Sequence, residues 1–217
     1  MTRLPTSANV ATDAGGAKLH APSAERNIEA ITALVSDVCP PKGRALEIAS
    51  GTGQHVVAFA RALPLIDWHP TEIAADRIAS IDAYAAEAGL PNLKPAQLLN
   101  AATQGWGKSH LAYDLIHMAN LLHLITEQSA RTALIEAVDA LATGGIFVIY
   151  GPFMRAGQLT SEGDATFDAQ LRDADPLIGY KDDQWVLEVL KSTGGVETSV
   201  RQMPANNLAF IARKATP

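Results

Sequence analysis

Arg44-Ala45-Leu46-Glu47-Ile48-Ala49-Ser50-Gly51-Thr52-Gly53-Gln54-His55 decides the fold of this chain. An apolar run carrying one acid breaks at Gly-Thr-Gly. It then passes into Val56-Val57-Ala58-Phe59-Ala60-Arg61-Ala62-Leu63, which has helical spacing. The pattern is strand, tight glycine turn, helix. The apolar residues from Arg44 to Ala49 do not alternate cleanly, as suits a strand covered on both faces. Gly51 and Gly53 permit a sharp turn and let a ligand lie against the backbone. The helix that follows offers unpaired N–H groups, which suit a carboxylate as well as a phosphate. The dinucleotide fingerprint needs a third glycine where Val56 stands, and no Gly-x-x-x-x-Gly-Lys loop occurs, so the ligand need not be a diphosphate.

Outward from this turn the chain alternates strand and helix. Before it, Ile28, Ile31, Leu34, Val35 and Val38 recur on one helical face. Ser23 is the expected cap and Pro40-Pro41 the stop. After it, Leu65 to His69 reads as a strand and Ile73 to Ala88 as a helix stopped by Gly89. Leu93 to Leu99, with Pro95, reads as an edge strand. A loop through Thr103 to Ser109 leads to a strand at Tyr113 to Met118. A helix capped by Thr126 and closed by Gly144-Gly145 precedes a fifth strand, Ile146 to Tyr150. An irregular stretch with two short helical pieces follows, the second capped by Asp182. Val196 to Met203 and Leu208 to Ala212 are the last strands. Their short link predicts an antiparallel ending. Alternation of this kind predicts a Rossmann-like α/β fold, a mostly parallel sheet with helices on both faces. Residues 1–20, polar and without period, are expected to form a flexible leader or a lid, and 21–217 a single domain.

Composition narrows the setting. The chain has 217 residues, 47% hydrophobic and 18% charged, enough for a proper core. The formal net charge is −6 and no Lys/Arg-rich run appears, so no nucleic-acid partner is expected. Cys39 is the only cysteine, which excludes an internal disulfide and suits a reducing compartment. No apolar run is long enough to span a membrane, and the N-terminal region lacks the apolar middle of a signal peptide. We expect a cytoplasmic protein.

In such sheets ligands bind beyond the carboxyl ends of the strands. Four strand ends carry suitable polar groups. Glu72, about twenty residues past the glycine turn, can accept both hydroxyls of a ribose; Asp67 is the fallback. Glu47, an acid in an apolar strand, is expected to face the turn, orienting it or meeting an ammonium through water. Asn100, with Ala101 beside it, ends the third strand and suits an adenine edge. Asn120 ends the fourth and could touch an amino-acid moiety. With Ser50, Gly51, Thr52 and Gly53 these groups describe a nucleoside with a zwitterionic tail, as in S-adenosylmethionine. Arg26 and Asn27 are expected to close over the cofactor carboxylate or the acceptor. His123 and Tyr150 are the candidate catalytic residues, with His55 a further possible base. Arg155 could attract an anion. No metal is assigned.

The resemblance then becomes specific. Ala45-Leu46-Glu47-Ile48-Ala49-Ser50-Gly51-Thr52-Gly53, Tyr113-Asp114-Leu115-Ile116 and Leu141-Ala142-Thr143-Gly144-Gly145 resemble motifs of class I S-adenosylmethionine-dependent methyltransferases, over roughly Ser23 to Arg213. More narrowly, Ser23-Ala24-Glu25-Arg26-Asn27, the glycine turn through His55, Tyr150-Gly151-Pro152-Phe153 and Met203-Pro204-Ala205-Asn206-Asn207-Leu208 resemble the DUF938 family, of the methyltransferase-like protein 26 type. The resemblance implies a seven-stranded sheet and transfer of a methyl group from S-adenosylmethionine, leaving S-adenosylhomocysteine. One departure is Asn100, where this fold commonly has an acid. The acceptor is expected to be a small molecule. A protein-modifying methyltransferase and a non-catalytic cofactor-binding module are the alternatives.

Overall fold

The computed structural model describes residues 4–5, 8, 10–110 and 112–216. Two short strands, β1 (Thr12–Asp13) and β2 (Leu19–His20), pair antiparallel ahead of α1 (Pro22–Val38). Pro22 occupies the start of α1, where its fixed φ suits a helix and its missing N–H costs nothing. Ser23 is therefore inside the helix and is not its cap. Ile31, Leu34 and Val35 are the buried stripe the sequence pattern demands.

The main sheet then begins with β3 (Gly43–Ile48), followed by α2 (Gln54–Ala62), β4 (Ile66–Glu72), α3 (Ala75–Ala88) and β5 (Gln97–Leu98). A one-turn helix, α4 (Trp106–Ser109), lies in the stretch expected to be loop. β6 (Tyr113–Ala119), a 3-10 turn (Leu122–Leu124), α5 (Glu127–Ala140) and β7 (Leu141–Pro152) follow. The chain closes with α6 (Glu162–Ala174), α7 (Asp183–Ser192), β8 (Val196–Gln202) and β9 (Asn207–Lys214). Thr126 caps α5 by accepting from the Ser129 N–H at 3.1 Å, and Asp182 caps α7 through the Gln184 N–H.

Strand order is β5-β4-β3-β6-β7-β9-β8. The first five are mutually parallel, while β9 runs antiparallel to both β7 and β8. Alternate side chains divide the core in two, as a pleated strand must. Leu46, Ile116, Phe147 and Ile149 face α5 and α7, whereas Ala45, Leu115, Ile146 and Val148 face α1, α2 and α3. Each fully buried aliphatic or phenylalanine side chain contributes about 1.5–3 kcal/mol.

Two sequence expectations shift here. The third strand shrinks to Gln97–Leu98 plus an isolated bridge from Leu93 to Trp68, because Pro95 cannot donate to a ladder. Gly144-Gly145 does not close α5. The helix ends at Ala140, and the glycines lie within β7, at an irregularity of its pairing with β6. A Cβ on Gly145 would sit 2.8 Å from the Tyr113 carbonyl, so the close approach of two backbones requires glycine there.

Sequence order runs outward from β3 to β5 and then returns to β6 on the other side of β3. The crevice at this reversal opens at the carboxyl ends of β3 and β6. Non-glycine residues in the left-handed region mark both ends: Ala49 has φ 54° and Asn120 φ 55°. A left-handed alanine costs about 1–2 kcal/mol, and such strain gathers at functional sites.

Candidate functional site

The glycine turn is braced by β4 and α3. Gly51 has φ 61° and Gly53 φ 96°, both disfavoured for side-chain-bearing residues. A Cβ on Gly53 would lie 2.9 Å from Ile81 Cα, so this glycine lets α3 pack against the turn. A Cβ on Gly51 would meet Arg77 Nη1 at 3.4 Å, an ordinary contact. Ser50 works inside the turn. Its hydroxyl donates to the Glu47 carbonyl and accepts the Thr71 N–H, and its own N–H reaches the Thr71 carbonyl at 2.8 Å. The Thr52 carbonyl accepts from Ser80 Oγ, and its hydroxyl donates to Gln54 Oε1. Nothing on the Gly53 cap satisfies the first N–H groups of α2 with a side chain.

Glu72 stands at the end of β4, 7% exposed. Its Oε2 accepts the Gly51 N–H at 3.0 Å and its Oε1 the Ile73 N–H at 2.7 Å. Oε1 also takes the Ala74 N–H at a long 3.5 Å, and the second lone pair of Oε2 stays free to accept a hydroxyl. The carboxylate is thus fastened to the glycine turn before any ligand arrives. Asn100, exposed past β5, accepts the Ala102 N–H on its own side chain. Ala101 is buried, and its carbonyl takes the Trp106 indole N–H at 3.1 Å. The Asn120 N–H bonds the Tyr150 carbonyl, which ties the ends of β6 and β7 together.

Glu47 departs from expectation. Its side chain points to the α1–α2 face of the sheet, because register places it beside His117 of β6. Its Oε1 lies 3.4 Å from His117 Nδ1, and no loop amide bonds it. Glu47 Oε2 and both His117 nitrogens are buried without a hydrogen-bond partner. His117, inside an apolar strand, was invisible as a site neighbour in the sequence. An acid and a histidine in strands that pair was the only available signal.

Asn27 is likewise turned inward. Its Oδ1 lies 2.8 Å from His55 Nε2, and its side chain also holds the Tyr150 hydroxyl. Burial lowers His55 to about 4, with Glu47 opposing and His117 reinforcing the shift. His55 is thus neutral at pH 7 and held by Asn27. Burial raises Tyr150 above the ordinary phenol value. Arg26, one residue earlier, is exposed on α1 with no partner among the described residues.

His123 lies in the 3-10 turn, 5% exposed, edge-on to Phe167 and beside Tyr180. Burial, reinforced by the charge of Lys181, lowers it to about 3, so the imidazole is neutral. No described group hydrogen-bonds its ring. A neutral, unpartnered imidazole can accept a proton or a hydrogen bond. Arg155 is spent elsewhere. Its guanidinium donates to the Phe153 and Asn206 carbonyls, tying the loop after β7 to the β8–β9 link. It is a structural clamp, since both carbonyls lie within its reach and no anion is needed to hold it.

Sequence reasoning also missed a cluster in the segment after β7. Asp164 accepts from the hydroxyls of Thr160, Ser161 and Tyr180. Asp168 accepts the Tyr180 N–H and the Arg172 Nε–H. Leu4 and Ala8 of the leader pack against Leu171, Ile178 and Tyr180 of this segment, in a cluster that Leu124 of the 3-10 turn also joins. Further along the leader, the Leu19 N–H bonds Ser80 Oγ of α3. Among the described residues no group of three or more His, Cys, Asp or Glu is placed to hold a metal, and no helix is long and apolar enough to cross a membrane.

Several solved structures with the same fold are methyltransferases by name. An O-methyltransferase family protein from Burkholderia thailandensis aligns at 15% identity with a TM-score of 0.74, covering 89% of this chain and 57% of its own. A protein from Nostoc punctiforme described as an O-methyltransferase on trial assignment gives 18% and 0.76, over 89% and 57%. Human N-acetylserotonin methyltransferase, solved with S-adenosylmethionine, gives 13% and 0.72, over 89% and 53%. The chain spans little more than half the length of these neighbours, and the likeness establishes the shared fold. Residues 18–214 match the family described as "Protein of unknown function (DUF938)", and the chain belongs to that family.

Proposed function

We propose that this protein is an S-adenosylmethionine-dependent methyltransferase acting on a small-molecule acceptor. The observation that carries the reading is Glu72 bonded to the Gly51 N–H at the sheet's reversal point. That geometry presents an acceptor-only carboxylate and a bare glycine backbone to one ligand, which suits a ribose next to an amino-acid tail. The shared fold of named methyltransferases supports it.

The residues fit the cofactor. Glu72 would take a ribose hydroxyl, Gly51 to Gly53 would lie along the tail, and the free amides opening α2 suit its carboxylate. The unpartnered Glu47 Oε2 is a buried acceptor on the α1–α2 face, beside His117. Ala101 with Asn100 would flank the adenine, and Asn120 the methionine end. Arg26, exposed and without a described partner, is positioned to close over the carboxylate or the acceptor, whereas Asn27 orients His55 and Tyr150. S-adenosylmethionine supplies a methyl group on a sulfonium, whose departure as a neutral thioether calls for no strong acid. The protein's task is then alignment and exclusion of water. Where the acceptor must lose a proton, His123 is the candidate base, and since burial lowers it to about 3 it would act only on an acceptor whose binding raises that value. Tyr150, fixed through Asn27, shapes the wall.

The small-molecule reading rests on enclosure. The segment after β7 and the leader share one apolar cluster, and the leader reaches α3 through Leu19. We read the described residues of the leader as a lid over the strand ends. A neighbour named for the small acceptor N-acetylserotonin agrees. A cytoplasmic setting suits the single Cys39.

Calorimetric titration with S-adenosylmethionine and S-adenosylhomocysteine tests the cofactor. Heats fitting one site per chain are expected. Absence of binding at high micromolar concentration would sink the proposal. Incubation of the bound protein with fractionated cell metabolites then tests transfer.

A further inference from the structure

Among the described residues, Lys181 is the one buried cation, and the site described above does not use it. It is 6% exposed, in the segment between β7 and α7. Its ammonium donates to the Ile125 carbonyl at 2.9 Å and to the Gly179 carbonyl at 2.8 Å. An ammonium has three donors, and the third has no described partner. No carboxylate lies within salt-bridge distance of it among the described residues. A buried charge without a counter-charge is costly, so the arrangement has to be offset by something.

Lys181 lines a cavity of about 260 Å³. Arg172 lines it too. Arg172 commits its Nε to Asp168, and its Nη2 lies 2.9 Å from where a Gly179 Cβ would be. Gly179, with φ 133°, thus leaves room for the Asp168 carboxylate and the Arg172 guanidinium against the backbone. The two cations are near enough that Arg172 lowers Lys181, in addition to burial, to about 8. Of the acids nearby, Asp168 is occupied by Arg172 and the Tyr180 N–H. Asp182 is occupied by the Gln184 and Gly157 N–H groups. Glu127, exposed at the mouth, is the remaining competitor for the cations. Trp185 and Met154 form apolar wall.

We propose that this cavity binds a small organic anion, a carboxylate or a phosphate monoester on about one ring, through Lys181 and Arg172. The volume is slightly under the usual ~300–1,000 Å³ of ligand pockets, which limits the body of the ligand. The cavity adjoins the acceptor side of the sheet. The Gly179 N–H bonds the His123 carbonyl, and the Met154 N–H bonds the Lys181 carbonyl. Anion binding itself does not depend on methyl transfer.

The test is calorimetry of the full chain with benzoate, phenyl phosphate and neutral benzamide, followed in parallel by Trp185 fluorescence. We expect benzoate or phenyl phosphate to bind about tenfold or more tighter than benzamide. The tighter of the two acids names the head group. Lys181→Met and Arg172→Gln should each erase the preference, and Glu127→Gln should strengthen it. Arg172→Gln leaves both carbonyl bonds of Lys181 in place, so it remains informative if Lys181→Met loosens the segment. Equal binding of acid and amide, no binding of either up to about 10 mM, or a preference that survives both substitutions would overturn the proposal. S-adenosylhomocysteine titrated into Arg172→Gln should bind as to the parent chain, which keeps this result separate from the cofactor reading.

Discussion

Replacing Glu72 by glutamine isolates the contribution of one charge at the glycine turn. In the protein Glu72 Oε2 holds the Gly51 amide, and Oε1 holds the Ile73 amide and, at a longer 3.5 Å, that of Ala74. The glutamine keeps one acceptor oxygen and turns an NH2 toward the other amide. One donor then faces another, and one lone pair offered to the ribose is gone. A hydrogen bond to a charged group contributes about 1.5–3 kcal/mol, so affinity for S-adenosylhomocysteine should fall by roughly 10–150-fold. Folding stability should fall separately by about 1–3 kcal/mol, since a buried N–H loses its partner. Calorimetry measures the first and urea denaturation the second. A folded variant whose affinity stays within about threefold of the parent would remove Glu72 from the cofactor site and leave it a brace for the turn.

Four further outcomes follow from the geometry. Gly53→Ala places a Cβ 2.9 Å from Ile81 Cα at φ 96°; left-handed strain and overpacking together should cost about 2–5 kcal/mol, read from the denaturation midpoint. His55 and His123 stay neutral in the folded chain down to about 4 and about 3, while the unfolded chain takes up their protons near 6.5. Protons therefore favour unfolding, and stability should drop as pH falls from 6.5 by up to about 1.4 kcal/mol per unit for each histidine; His123→Phe should flatten that slope, and a pH-independent stability between 7 and 5 would contradict it. Thr126→Ala removes the α5 cap and should cost about 1 kcal/mol by the same assay. Burial pushes the Cys39 thiol up to about 12, so iodoacetamide at pH 8 should label the native chain far more slowly than the urea-unfolded one.

The fold was legible because its signals are local. A strand-turn-helix with two glycines, the Gly89 stop and the Thr126 cap each act within a few residues, and each is where the pattern put it. The site was legible only in part. Glu72 could be placed because a strand end fixes it near the turn. The inward rotation of Glu47 and Asn27 could not. It depends on register between β3 and β6 and on the packing of α1 against α2, which are contacts across long stretches of chain. The partners of Arg155 could not be placed for the same reason, since they include the Asn206 carbonyl, far along the sequence. Lys181 and Asp164 carry no motif. Their meaning comes from burial and from neighbours that only the folded segment brings together.

The position of β9 bears on how the protein is made. Asn207–Lys214 sits between β7 and β8, yet it is translated after every strand it joins. Until it emerges from the ribosome, the long apolar β7 has one row of backbone groups without a strand beside it. An open, hydrophobic edge of that kind recruits other chains. Stalling or truncation upstream of Asn207 should therefore produce aggregates even though the cofactor half of the sheet is complete, and the burden on chaperones should end abruptly once β9 inserts.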